Sequence, residues 1–555
     1  MEMRTFLAVA LSIAVLAGFQ YFFGNEMSVK PPGANVTNAT SVKPGSNAAH
    51  QQEETSAPAK TGLQSLSKLA GLSEPPSEKG RDISVETPYF HAVLTENGAT
   101  FKHFILKKYK KSMKKDSPGV DLVNVSPPLL PVAIEVSSGK LFDLRTRYFE
   151  ADTTNIDLTG LNDRATLTFT SDLGEGTSLK KTFVFHKDSY NMELSMEIQG
   201  ASADEYRIFM YNRPYKASTT YVFSGPSYFS EKTGLKEIKV KDPGDRSEYT
   251  GNLDWFAYGD NYFMMALLPD IAQGPWNVII TSLDKKGLTE SSLRHAINQA
   301  VAPDGSLHFC RMHLYFGPKE IGRLKAAGHN LDKAINFGWF DPIAKPLLFV
   351  LNFFYKYLHN YGWAIIVLTI LIKMAFWPLA HKSAQSMKTM QKLQPKLKKL
   401  KEKYGDDKER MNKELMQLYK TYKVNPASGC LPMLLQIPVF FALYKVLLQA
   451  IELRHAPFCL WINDLSAPDR LMIPGVEIPM LGGIPVLTLL MGVSMYFQQK
   501  MSPSSLDPTQ AKMMQFLPVV FTFMFINFPS GLVLYWLVNN ILSIVQQYYV
   551  NKFTD

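Results

Sequence analysis

Residues 361–380 read YGWAIIVLTILIKMAFWPLA, and residues 381–404, directly after them, read HKSAQSMKTMQKLQPKLKKLKEKY. The first stretch is apolar and long enough to cross a bilayer as a helix, about 30 Å at 1.5 Å per residue. The second is crowded with lysine. An apolar span running into a cationic loop reads as a transmembrane helix whose lysine-rich end lies in the cytoplasm. Lys373 breaks the apolar run, and that break is the sequence's most informative single feature.

Working outward, further apolar stretches occupy 431–451, 484–497 and 516–550, the last broken by FPSG at 528–531. The break turns it into two spans joined by a tight turn. Residues 6–23 form another apolar run behind Arg4. It resembles a signal-peptide core but continues through Phe19, Tyr21, Phe22 and Phe23, which favours an uncleaved anchor. The loop at 381–429 is dominated by lysine, whereas 452–480 holds only Arg454 and Arg470. Counting spans from the first loop places both termini in the cytoplasm and everything between the first and second spans outside.

Composition agrees once it is read by position. The 555 residues are 46% hydrophobic and 12% aromatic, with a net charge of +10. The positive charge is densest at 382–423, between apolar spans, which makes a topology signal a better reading than nucleic-acid binding. Cys310, Cys430 and Cys459 are the only cysteines. They form neither a disulfide framework nor a zinc spacing, and no metal or cofactor is expected.

Residues 25–81 are rich in Pro, Ser, Asn, Ala and Gly and read as a tether. From 83 to about 316 the pattern alternates. Met192, Leu194, Met196 and Ile198 point one way, with Glu193, Ser195 and Glu197 between them; Phe183 and Phe185 follow the same rule after turn chemistry at 172–176. Many short strands of this kind predict a large antiparallel β-sandwich, closed by a short helix ending near Gly328. Residues 342–359 carry Ile343, Leu347, Leu351, Phe354 and Leu358 on one helical face, interrupted by Lys345, Asn352 and Lys356, which predicts an interfacial helix.

A lysine inside a span costs about 2.5 to 3.5 kcal/mol on insertion scales. Lys373 either snorkels to the cytoplasmic headgroups about 10 Å away or faces a hydrated cavity, with Thr369 one turn away on the same side. Gln436 in the third span, and Asn539, Ser543 and Gln546 beside Trp536 in the last, add polar groups at membrane depth. They read either as interhelical hydrogen bonds or as the lining of one groove. In the cytoplasmic loop Met390, Leu393, Leu397, Leu400 and Tyr404 recur three and four apart, and Met411, Leu415, Leu418 and Tyr422 do so after Gly405, predicting an antiparallel helical hairpin. Its lysines, Lys398 and Lys399 among them, read as a solvated face or as contacts with anionic lipid or RNA.

The motifs LQPK at 393–396, GDDK at 405–408, KVNP at 423–426 and GCLP at 429–432 follow one another here. They continue in QIP at 436–438, LWINDLSA at 460–467, QKMSP at 499–503 and FPSGLVLYW at 528–536. In this the chain resembles the YidC-type membrane insertases over roughly residues 340–550, and its large exported domain resembles the Gram-negative form with a β-supersandwich-like periplasmic domain.

The resemblance implies a polytopic α-helical inner-membrane protein with six transmembrane helices. Its layout is an anchor at 1–24, a linker at 25–81, a periplasmic β-sandwich with terminal helix at 82–335 and an interfacial helix at 336–360. Further spans fall at 361–380, 430–451, 482–498, 514–529 and 530–550. Between them lie a cytoplasmic hairpin at 381–429, a periplasmic loop at 452–481, a cytoplasmic loop at 499–513 and a tail at 551–555. The resemblance also implies a substrate groove at Lys373, Thr369, Gln436, Trp536 and Asn539, hairpin contacts at Met390, Lys398, Lys399 and Met411, and no catalysis. Implied partners are newly made membrane proteins, lipid, the Sec translocon and the ribosome, with no specific nucleic-acid sequence. Relatives commonly carry arginine where Lys373 stands.

Two rival classes remain open on sequence. A transporter also needs polar groups in its spans, but no inverted repeat is visible and Lys373 has no carboxylate partner in its span. A glycan-active enzyme would use Glu231, Asp254 and Asp260, whose separation sequence alone does not fix.

Overall fold

A computed structural model describes residues 80–214, 223–270, 274–404, 407–422, 431–475, 481–501 and 508–553. The proposed anchor and nearly all of the linker fall outside these residues, as do the KVNP motif and Cys430. The chain divides into two compact units. One comprises the β-rich part up to Pro318 together with residues 323–334, and the other comprises 319–322 and 335 onward.

The β unit holds three sheets of five, nine and six strands. At the heart of the nine-stranded sheet, Asn191–Gln199 pairs antiparallel with Thr177–His186 on one side and Ser306–Pro318 on the other. Met192, Leu194, Met196 and Ile198 are buried while Glu193, Ser195 and Glu197 are half-exposed, as period-two alternation dictates. The turn before Thr177–His186 runs through Gly174, Glu175 and Gly176, all in the left-handed region, which glycine enters without steric cost. Phe101 of the five-stranded sheet packs edge-on to Phe183 and Phe316 of the nine-stranded one. Tyr206 of the six-stranded sheet meets Phe309 in the same way. Both smaller sheets therefore share their core with the large one.

One expectation needs correction. The sandwich is not wholly antiparallel: Asp82–Glu86 pairs in parallel with Asn155–Asp157. The two strands lie far apart in sequence, and the intervening hairpin and loops supply the long connection that parallel pairing requires. A short helix, α1 (Ile321–Ala327), follows the last strand, and Gly328 lies just past its end at positive φ.

In the helical unit, α2 (Asp341–Leu358) begins with Pro342 in its first turn, where a missing N–H costs nothing. It buries Ala344, Leu348 and Leu351 and exposes Phe349, Phe353 and Tyr357. The buried stripe is thus rotated about one residue from the face expected at Ile343, Leu347 and Phe354. Asn360 caps the next helix, α3 (Tyr361–Lys392), by accepting from the backbone N–H of Gly362 at 2.8 Å. α3 runs unbroken through Pro378 to Lys392, well past the expected end at 380. Among the described residues it is the one helix long and apolar enough to cross a membrane by length and composition alone.

α4 (Gln394–Tyr404) and α5 (Lys408–Thr421) form a hairpin, with Asp407 capping α5 through the Arg410 backbone N–H at 3.0 Å. The unit is completed by α6 (Leu431–Gln449), α7 (Val486–Met501), α8 (Pro508–Phe525) and α9 (Ser530–Phe553). α9 packs along both α3 and α7. α7 and α8 meet closely at Gly492, where an added Cβ would lie 2.1 Å from the Thr522 hydroxyl.

Candidate functional site

Three helices bring polar groups together within a largely apolar bundle. Lys373 on α3 donates from Nζ to Ser543 Oγ on α9 at 2.7 Å. Ser543 in turn donates to the Asn539 carbonyl one turn earlier, at 2.8 Å. The Asn539 side-chain oxygen accepts from Gln436 Nε2 on α6 at 2.7 Å, and the Gln436 amide also lies 3.3 Å from the Tyr535 hydroxyl. The result is a continuous polar line from α3 through α9 to α6. Spacing produces it: residues 535, 539 and 543 lie four apart and so share one face of α9.

The other expected groove residues sit differently. Thr369 is buried, and its hydroxyl is spent on the Ile365 carbonyl of its own helix at 2.6 Å, a common use for a mid-helix threonine. It extends the polar face by position and offers no free donor. Trp536 is half-buried among Phe440, Phe521 and Phe525, with ring centroids 4.7, 6.2 and 5.2 Å away. It forms an aromatic wall next to the polar line. The partnership of Ser543 with Lys373 is the feature sequence reading missed, although the 539/543 spacing was its signal. Elsewhere on α9, Asn540 donates to Ser494 Oγ on α7 at 2.9 Å, an ordinary interhelical contact.

The end of the bundle formed by the 451–475 loop and the α8–α9 turn is tightly stitched. Arg470 donates to the carbonyls of Asp469, Leu481 and Ile526 at 2.6 to 2.8 Å and to the Asn527 side chain at 2.8 Å. The buried Asp469 carboxylate accepts from the Trp461 indole at 2.6 Å and from the Thr488 N–H in the first turn of α7 at 3.1 Å, where the helix dipole favours an anion. Ser530 and Gly531, opening α9, donate their N–H groups to the carbonyls of Ala467 and Leu465.

At the opposite end the hairpin buries Met390 and Leu393 against Tyr419. Met390 therefore belongs to the hairpin's own core. Met411 is half-buried and Lys399 exposed; the side chain of Lys398 lies outside the described residues. The carboxylates considered for glycan chemistry are spent on backbone and amide groups. Asp254 accepts from the Glu231 N–H and the Asn330 amide, and Asp260 accepts from the N–H groups of Tyr262 and Phe263.

The family described as YidC periplasmic domain matches residues 82–350, and the family described as 60Kd inner membrane protein matches 353–555. The membrane protein insertase YidC of Syntrophobacter fumaroxidans is 41% identical over 570 residues, and that of Pelobacter propionicus 41% identical over 563, each alignment covering all of both chains. The chain belongs to the YidC family of membrane protein insertases. A solved structure described as an active YidC insertase with its first transmembrane domain resolved overlaps 89% of this chain and 98% of its own, at 20% identity and a TM-score of 0.37. YidC proteins are membrane proteins with a periplasmic domain, and the family is one of insertases, not enzymes. The β unit described above is that periplasmic domain.

Proposed function

We propose that this chain moves transmembrane segments of newly made proteins into the bilayer through a hydrated, cationic groove lined by Lys373, Gln436 and Asn539, with Thr369 and Trp536 on its margins. The observation that carries the reading is the polar line from Lys373 to Gln436, which crosses three largely apolar helices. A group of this kind partway into the bilayer lowers the desolvation cost for a substrate's polar tail, while the apolar segment leaves sideways into lipid. The stitched loop cap at one end and the lysine-rich hairpin at the other support a groove open to the cytoplasm and closed to the periplasm.

On this reading the chain crosses the inner membrane six times, with 1–24 as the first span, α3, α6, α7, α8 and α9 as the others, and both termini cytoplasmic. The linker at 25–81 tethers the periplasmic domain. The exposed Phe349, Phe353 and Tyr357 of α2 suit contact with the outer leaflet. The exposed lysines of the hairpin meet lipid headgroups, the ribosome or an emerging substrate, and the insertase works alone or beside the Sec translocon. Site-specific photo-crosslinking to a stalled one-span substrate tests this directly. Probes at positions 436 and 539 are expected to capture the substrate's polar flank, and a probe at the exposed Phe516 of α8 is expected to capture lipid. Equal capture at all three positions, or none at 436 and 539, would contradict the groove.

A further inference from the structure

A lysine in a span has a cheap escape, because its four-carbon stem lets the ammonium reach the nearer headgroups. Lys373 does not take it. Its Nζ is held at 2.7 Å by Ser543 Oγ across the α3–α9 interface. The roles in this contact are unambiguous. An ammonium has donors only, so the hydroxyl must accept from it, and the single hydroxyl proton is then directed to the Asn539 carbonyl at 2.8 Å. The Asn539 side-chain oxygen, a different acceptor from the backbone carbonyl that Ser543 uses, takes a hydrogen bond from the Gln436 amide of α6 at 2.7 Å. The ammonium is therefore anchored at one of its three protons by a hydroxyl that the backbone of α9 orients, and among the described residues no other acceptor takes the remaining two.

We propose that Ser543 is a positioning residue that keeps the Lys373 charge inside the groove, and that the Lys373–Ser543 pair sets the preference for substrates with anionic polar flanks. The inference rests on the groove reading above. A guanidinium presents five donors in a rigid plane and needs no single acceptor to stay in place, whereas an ammonium on a flexible stem does. The serine matters because position 373 is lysine.

The test is insertion of matched one-span substrates with acidic or neutral translocated tails by the full-length protein in proteoliposomes, normalised to the amount of insertase. Ser543→Ala is expected to lower the acidic-over-neutral preference on the order of tenfold, the weight of one hydrogen bond to a charged group. Ser543→Thr, which keeps the hydroxyl, should restore it. In a Lys373→Arg background Ser543→Ala should cost much less, a coupling that a packing defect at position 543 would not produce. If Lys373→Leu removes the preference while Ser543→Ala retains it, the positioning role is wrong and the groove stands. If Lys373→Leu also retains the preference, the groove reading fails and the positioning role fails with it. Equal losses from Ser543→Ala in the lysine and arginine backgrounds would likewise overturn the proposal.

Discussion

A fully buried lysine sits where the sheets of the periplasmic domain meet. Lys181 is fully buried, and its Nζ donates to the carbonyls of Gly98, Ala99 and Val132. Lys181 belongs to the nine-stranded sheet, Gly98 and Ala99 to a hairpin turn of the five-stranded sheet, and Val132 to the approach to the six-stranded one. One amino group thus ties three sheets. Burial pushes it from its ordinary 10.5 down to about 7. Between those values the unfolded chain holds a proton that the folded domain has released, so stability from this group rises with pH across that window. Lys181→Met leaves three carbonyls without their donor and is expected to cost about 1–3 kcal/mol. Urea unfolding at about pH 6 and about pH 9 should show the native domain's advantage over the variant growing with pH; a difference independent of pH would contradict the burial account. The sequence carried the signal, since position 181 shares the parity of Leu179, Phe183 and Phe185, which are all buried.

At the scale of elements, two contacts make separable predictions. Gly492 lets α7 approach α8 so closely that any side chain there meets the Thr522 hydroxyl, itself held by the Pro518 carbonyl at 2.7 Å. Gly492→Leu is expected to destabilise the bundle by about 1–3 kcal/mol through overpacking. Thermal unfolding in detergent should show the loss, and Thr522→Ala should recover part of it; an unchanged midpoint would mean the helices are not in contact there. Deleting residues 388–416 of the hairpin should impair insertion while leaving the protein in the membrane, because the spans keep their own apolar lengths. Unchanged insertion of several substrates, with normal membrane levels, would remove the hairpin from the mechanism. Elements with a local period were legible in the sequence: the strand at 191–199, the hairpin turn at 174–176 and the apolar core of α3. The parallel pairing of Asp82–Glu86 was not, because register between distant strands leaves no local trace. The Lys373–Ser543 contact was hidden for a similar reason, since periodicity within α9 gives its polar face but not the helix that face meets.

The whole molecule joins two units with different solvents. The β unit has its own aromatic core and three mutually packed sheets, so residues 80–334 expressed alone should unfold in one cooperative transition. A broad, non-cooperative melt would show that the domain depends on the rest of the chain. The helical unit carries the central claim, that a positive charge held at membrane depth engages the polar part of a passing substrate. The most direct test is insertion of matched acidic-tailed and neutral-tailed one-span substrates by Lys373→Arg, Lys373→Leu and Lys373→Glu, each normalised to its level in the membrane. The account predicts that arginine retains insertion, that leucine weakens it, and that glutamate blocks acidic tails most severely because attraction becomes repulsion. Full activity of both the leucine and the glutamate variants on both substrates would contradict it.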